Sequence, residues 1–334
     1  MRSLPYPTVL KPYGRALVDL AKTRPDILCI TGDLTRQCEI DLFQDELPEQ
    51  FIHAGMAEAN MMSMAGSLAR RGHIPFVHTF GVFATRRPLD QIINSIAYPN
   101  LPVRIVGFMP GVSSPGGPSH QAIDDVALMR AIPNMTVVDV ADAMEIAKAL
   151  PVIVDVPGPV YLRLKRGEIP VIFEEDHQFV MDKAQVLREG ADIAIVANGM
   201  MLSSSIAASR TLSENGVEAT VVNVPVIKPL DSRTILDVAG KVSGIVTAEN
   251  HSVIGGLGSA VCEVTAETGL PVRVTRIGLQ DTFAEGSRSA PPLFKKYGLS
   301  TQDIIDAGWK LAGREGDAPQ APVTEVAEGE YAPV

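Results

Sequence analysis

Residues Gly55–Phe80 read GMAEANMMSMAGSLARRGHIPFVHTF, and two periods follow one another inside them. From Met56 to Leu68 the chain is small or apolar almost all round, which predicts a helix over Met56–Arg71 buried on both sides. After Gly72, IPFVHTF is a short apolar run with the length of a strand. A helix handed straight to such a strand is the unit of a mostly parallel sheet covered on both faces. One residue stands out: Glu58 is a lone acid at the mouth of the helix. It is either a first-turn acid favoured by the helix dipole or a desolvated group able to share a proton with a ligand nitrogen.

The same alternation extends in both directions. DILCITGD, QFIHAG, VRIVGFM, MTVVDV and PVYLRL read as further strands, with helical patterns at Thr85–Ala97, Gln121–Ala131 and Ala143–Leu150. The charged stretch KRGEIPVIFEEDHQFVMDKAQVLREG has no sustained period and the composition of a linker. Alternation restarts with DIAIVANG, EATVVNVPVI, SGIVTAEN and PVRVTRIG. The expectation is an α/β protein of two doubly wound domains, 1–166 and 182–312, joined by 167–181. The last stretch, 313–334, is rich in Ala, Pro and Glu and carries the composition of a disordered tail.

Composition narrows the function. Among 334 residues, 29 Lys and Arg face 39 Asp and Glu, a net charge of −10 that argues against a nucleic-acid partner. The three cysteines, Cys29, Cys38 and Cys262, lack metal or disulfide spacing and read as reduced thiols. The N-terminus has no apolar signal region and no run of ~18 apolar residues occurs, so a cytoplasmic protein with no membrane partner is expected.

Several segments carry candidate chemistry. In HTFGVFATRRPLDQI, Phe80 and Phe83 bracket a strand end and are either core aromatics or an apolar slot for a flat heterocycle; Arg86 and Arg87 read as a solvated helix start. GFMPGVSSPGGPSHQAIDDVALMRAI is a long loop ahead of a helix. Ser119 is the candidate N-cap there and His120 a first-turn imidazole able to hold or move a proton, or else a surface histidine. Asp33 follows a strand as a turn acid. Gly255, Gly256 and Gly258 in AENHSVIGGLGSAV faintly resemble a dinucleotide fingerprint, but a strand–turn–helix junction explains them without a ligand.

Taken together, GMAEANM, HTFGVFATRRPLDQI, GPSHQAIDDVALMRAIPNM and AENHSVIGGLGSAV resemble the C-terminal half of the transketolase family, in the form where the enzyme is split between two chains. The resemblance covers nearly the whole chain to about residue 312. It implies a pyrimidine-binding domain followed by a transketolase C-terminal domain, thiamine diphosphate as cofactor, and transfer of a two-carbon ketol unit from a ketose to an aldehyde in carbohydrate metabolism. Glu58 then takes the place of the acid that protonates the pyrimidine nitrogen and so allows thiazolium C2 to be deprotonated. Phe80 and Phe83 match residues packed on the pyrimidine, Asp33 an acid that approaches the cofactor, and His120 a substrate-facing histidine. Arg15 and Arg166 match phosphate-facing arginines. The Gly-Asp-Gly…Asn motif that binds Mg²⁺ and the diphosphate is not matched by GDL at Gly32 or GDA at Gly316. The resemblance therefore implies a partner, an N-terminal subunit that holds the Mg²⁺, in an α2β2 heterotetramer.

Three places depart from the family pattern. Gly116 stands where an acid reads substrate hydroxyls, Phe108 where a histidine faces phosphate, and Gln37 where a serine helps hold it. Each lost charge-assisted hydrogen bond is worth ~1.5–3 kcal/mol, so the substrate is expected to be a non-standard sugar or carbonyl compound. Two other readings share the layout: the β-type subunit of a 2-oxo acid dehydrogenase, and a non-catalytic scaffold. GPSHQ and IPNM favour transketolase over the former, and Glu58, Phe80, Phe83 and His120 argue against the latter.

Overall fold

The computed structural model describes residues 1–2 and 5–321. The first half runs β1 (Thr8–Leu10), α1 (Pro12–Ala21), β2 (Ile27–Thr31), α2 (Asp41–Glu46), β3 (Phe51–His53), α3 (Glu58–Ala69), β4 (Ile74–Phe80), α4 (Gly81–Arg86), α5 (Leu89–Gln91), β5 (Arg104–Phe108), α6 (Asp125–Ala131), β6 (Thr136–Asp139), α7 (Ala143–Ile153), β7 (Val160–Leu164) and β8 (Glu168–Pro170). The second runs β9 (Gln185–Arg188), β10 (Ile193–Ala197), α8 (Met201–Glu214), β11 (Ala219–Asn223), β12 (Val226–Lys228), α9 (Ser232–Ala239), β13 (Gly244–Ser252), α10 (Leu257–Glu267), β14 (Arg273–Leu279), α11 (Pro291–Lys296) and α12 (Thr301–Leu311). Among the described helices none is long and apolar enough to cross a membrane.

The expected α/β architecture is present. A seven-stranded sheet has the order β12-β6-β7-β5-β4-β2-β3, and a five-stranded one the order β14-β13-β10-β11-β9. Only the terminal strands β12 and β9 run antiparallel to their neighbours. Each sheet divides two apolar cores. Cys29 and Phe108 join the side covered by α1 and α7, while Ile30 and Ile105 join the side covered by α3 and α6. Strands buried on both faces need no polar alternation, which is why IPFVHTF and its neighbours read as continuous apolar runs. From β2 the chain steps outward to β3 and returns to β4 on the other side of β2. The strand order reverses there, where α/β sheets open a crevice at their C-terminal ends.

Several expectations need correction. The helix at Thr85–Ala97 is broken, because Pro88 cannot donate an N–H; α5 instead leads into a π-helical segment, Ile92–Ala97. The stretch after β7, expected as a linker, carries short strands and part of the core: β8 pairs with β1 and β9 with β11, and Ile172, Phe173 and Phe179 are buried. EATVVNVPVI is two strands, with β11 in the second sheet and β12 in the first. Helix α3 buries one face only, through Met61, Met62, Ala65 and Ala69, whereas Ala59, Asn60 and Ser67 are exposed. Of the expected tail, the part up to residue 321 runs against α12, where Gln302 donates to the Pro319 carbonyl at 3.1 Å and accepts from the Ala321 N–H at 2.7 Å. The rest lies outside the described residues.

The two sheets meet around Arg163 on β7. Its guanidinium is fully buried and makes a two-point contact with Asp125, Nε to Oδ2 at 2.8 Å and Nη2 to Oδ1 at 3.0 Å. Nη1 donates to Asp139 at 3.1 Å, and Nη2 donates also to the carbonyls of Ala122 and, from β13, Asn250. Burial disfavours the Asp125 charge, but Arg163 outweighs it and holds the carboxyl below its usual range. For Asp139 burial prevails over Arg163 and pushes the carboxyl up to about 6. Tyr161 and Asn198 donate to the same two acids.

Arg163→Met strands both carboxylates in the junction. Urea unfolding near neutral pH is expected to show a loss of about 3–5 kcal/mol, as for a broken buried pair. A loss under ~1 kcal/mol would mean that the guanidinium is not what holds the junction.

Candidate active site

The expected site residues other than Arg15 follow, or lie at, the C-terminal ends of parallel strands of the first sheet. Asp33 follows β2, Glu58 follows β3, Phe80 ends β4, Phe108 ends β5 and Arg166 follows β7. Strand pairing places Phe80 beside Phe108 and Phe108 beside Leu164. The loop after β5 then carries Gly116 and His120 over this edge.

Five of the residues come together. Glu58 opens α3 and its side chain is 10% exposed. Its Oε1 accepts a hydrogen bond from Arg87 Nη1 at 2.5 Å. The Arg87 guanidinium carbon lies 4.0 Å from the centroid of the Phe83 ring. Phe83 in turn stacks on Phe80, with centroids 6.0 Å apart and planes 20° off parallel. His120 meets Phe83 edge-on at 5.3 Å. The Ser119 hydroxyl lies 2.9 Å from His120 Nδ1, which leaves Nε2 as the ring nitrogen open to a ligand. Gly116 packs so closely on His120 that an added Cβ would lie 2.8 Å from the histidine Cβ. An acid at that place would have to displace the imidazole, so the glycine and the position of His120 belong together.

His120 is not in the first turn of a helix. Helix α6 begins at Asp125, and Ser119 does not cap it. The intervening residues are held by tertiary bonds: buried Gln121 donates from Nε2 to the carbonyls of Ser114 and Glu285, and Ala122 bridges to Pro110 and Gly111. The second domain fixes the loop instead, through Asn250, which donates to the Pro110 carbonyl at 2.9 Å and accepts from the Val112 N–H at 3.0 Å.

The remaining residues make other contacts. Asp33 is exposed, and Arg166 is half-buried; both bear electrostatically on the Cys38 thiol, which burial pushes up. Arg15 is exposed on α1 and paired with Glu46 at 3.0 Å. Phe108 is fully buried, its ring edge-on to Tyr13 at 5.5 Å. The Tyr13 hydroxyl lies 2.7 Å from His78 Nε2, and His78 Nδ1 lies 3.1 Å from the Ile30 carbonyl. A carbonyl only accepts, so Nδ1 carries the proton and Nε2 accepts from the tyrosine. Burial lowers His78 to about 4, which keeps it neutral. The glycine-rich junction before α10 is filled by the chain's own Glu249, which accepts from the N–H groups of Leu257 and Gly258 at 2.7 and 2.9 Å. A Cβ at Gly256 would lie 1.9 Å from that carboxylate, so the glycine serves the cap.

Arg87, expected as part of a solvated helix start, instead faces Glu58 and Phe83. The available signal was spacing: Phe83 and Arg87 are four residues apart, so they share a face of one helical turn. Glu39 was not among the expected residues. It is buried, and its carboxylate accepts the Gly167 N–H at 3.0 Å beside Arg166, near the backbone at the start of α1.

Residues 6–171 match the family model of the transketolase pyrimidine binding domain, and residues 182–304 that of the transketolase C-terminal domain. The chain is 39% identical, over 91% of its length and 94% of the relative's, to a 6-deoxy-6-sulfo-D-fructose transketolase subunit of Clostridium sp. (strain MSTE9). It is 34% identical to an apulose-4-phosphate transketolase subunit of Phocaeicola vulgatus, over 88% of this chain and 94% of that one. A solved structure described as a split gene transketolase, inactive beta4 tetramer, superposes with a TM-score of 0.83 at 39% identity, covering 92% of this chain and 99% of the other.

Burial pushes the Glu39 carboxyl up to about 7, against the N–H groups that favour its charge. A raised acid favours folding at low pH, and that stability is lost as pH rises from about 4.5 through about 7. Glu39→Gln cannot ionise. Relative to wild type it is expected to gain on the order of 3 kcal/mol across that window. Parallel pH profiles of the two unfolding free energies would refute this.

Proposed function

This chain belongs to the transketolase family, a family of thiamine-diphosphate-dependent transferases, and we propose that it is the C-terminal subunit of a two-chain enzyme that transfers a two-carbon ketol unit to an aldehyde acceptor. The observation that carries this reading is the cluster of a buried acid, a stacked pair of phenyl rings and a histidine at the open ends of β3, β4 and β5.

The residues present fit an aminopyrimidine. Glu58 offers a carboxyl that shares a proton with a ring nitrogen, and Phe83 offers a flat apolar face beside it. Thiamine diphosphate, when bound, supplies a thiazolium carbon acidic enough to take up the transferred unit. His120, steadied by Ser119 and by the rim of Phe83, holds or moves a proton at a substrate hydroxyl or carbonyl. Asp33 and Arg166 belong to the neighbouring strand ends on the cofactor and substrate side, and Arg15 is a more distant phosphate-facing group. Among the described residues no group of three or more His, Cys, Asp or Glu could hold a metal ion. Mg²⁺ and the diphosphate are assigned to an N-terminal partner subunit in an α2β2 assembly, a reading supported by the split-subunit relatives.

The substrate is proposed to differ from the common pentose phosphates. Gly116 cannot be replaced by an acid without moving His120, and Phe108 has turned into the core. Both departures remove polar groups that would grip a sugar phosphate. The names of the two relatives, one for a 6-deoxy-6-sulfo sugar and one for apulose 4-phosphate, support a substrate outside that common set.

Two measurements test the reading in the enzyme assembled with its partner. At equal cofactor occupancy, Glu58→Gln is expected to slow hydrogen–deuterium exchange at cofactor C2 by at least ~10²-fold, since an amide has no carboxylic proton to share. Equal exchange rates would remove Glu58 from its role. A comparison of kcat/KM for xylulose 5-phosphate with ribose 5-phosphate against modified sugars is expected to favour the modified sugars. A clear preference for the pentose phosphates would defeat the substrate assignment.

A further inference from the structure

Two arginines follow Phe83, and they turn opposite ways. Arg86 Nε donates to both oxygens of Asp124, at 2.9 and 3.0 Å, and ties α4 to the start of α6. Arg87 reaches back to α3. Its Nη1 donates to Glu58, and its guanidinium carbon lies over the Phe83 ring. A single planar cation thus engages both groups that, in the function proposed above, meet the pyrimidine: the acid and the aromatic face. The two uses of Glu58 exclude each other. The oxygen that accepts from Arg87, Oε1, cannot meet a ring nitrogen while that pair is made. The Phe83 face likewise cannot stack on a guanidinium and a heterocycle at once.

The burial of the pair is uneven. The Arg87 side chain is 53% exposed and that of Glu58 only 10%. The cation can therefore leave into water while the acid stays where it is. Its hold is modest, because a half-exposed ion pair and one cation–π contact are each weak.

We propose that Arg87 is a positioning residue that aims Glu58 and reserves the pyrimidine place in the free chain, and that it must release both Glu58 and Phe83 when the aminopyrimidine enters. Arg87 then acts as a competitor built into the chain. The cofactor's apparent affinity is reduced by the fraction of molecules in which the guanidinium occupies the place. This inference rests on the proposed cofactor, and the test separates the two.

The assembled two-chain enzyme is titrated with thiamine diphosphate at saturating Mg²⁺, following binding by calorimetry, for wild type, Arg87→Ala and Arg87→Lys. Arg87→Ala is expected to lower the Kd by about tenfold, the size of one half-exposed ion pair plus one cation–π contact. Arg87→Lys should fall in between, because an ammonium pairs with Glu58 but does not cover the ring as a plane. In a Glu58→Gln background the effect of Arg87→Ala should shrink, since the ion pair is already gone. An unchanged or weaker affinity in Arg87→Ala overturns the proposal and, with wild type binding normally, leaves the proposed function standing. Failure of wild type to bind the cofactor overturns both. If Arg87→Ala does not assemble, Arg87→Lys decides: a Kd equal to or above that of wild type overturns the proposal.

Discussion

A guanidinium with no water around it sets the relation between the two halves of this protein. Taking such a charge out of water costs several kcal/mol, and the cost is tolerable only where every donor meets an acceptor. The acceptors of Arg163 come from α6, β6, the segment before α6, and β13. No one of these elements can shift alone without leaving a charge or a donor unmatched. The place of the His120 loop follows from that demand, because Asn250, whose carbonyl meets Arg163, holds the loop through its side chain.

The candidate site is held by both domains on one side and by a half-covered helix on the other. Phe80 belongs to a strand in mid-sheet, and His120 to a loop clamped between domains. Glu58, by contrast, follows the edge strand β3 and heads a helix with one face uncovered. The acid is thus carried by an element whose packing is unfinished within a single chain. An assembly that covers the outer face of α3 would also fix the acid.

Legibility in the sequence followed the range of the interactions. IPFVHTF was read with its observed bounds because burial on both faces leaves a continuous apolar signature. The residues of the cluster were legible through their motifs, since Glu58, Phe83 and His120 each sit in a distinctive short segment. What escaped was tertiary. The helix expected from Gln121 starts at Asp125 because Gln121 bonds to residues far away in sequence. The partnership of Arg87 with Glu58 spans 29 positions. The outer face of α3 looked buried because small residues such as Ala59 and Ser67 have the composition of a core whether or not anything covers them.

Strand β12 bears on where such a chain can be divided. It comes after three strands of the second sheet, yet it pairs with β6 and closes one edge of the first. The compact unit in three dimensions is therefore not a continuous stretch of sequence. Cutting between the two family domains would leave β6 as a bare edge, with unpaired backbone groups open to any other strand. A gene can be parted cheaply only where few backbone hydrogen bonds cross the cut. By that measure these two domains are a single heritable piece, and a division that leaves both fragments well folded has to fall outside them.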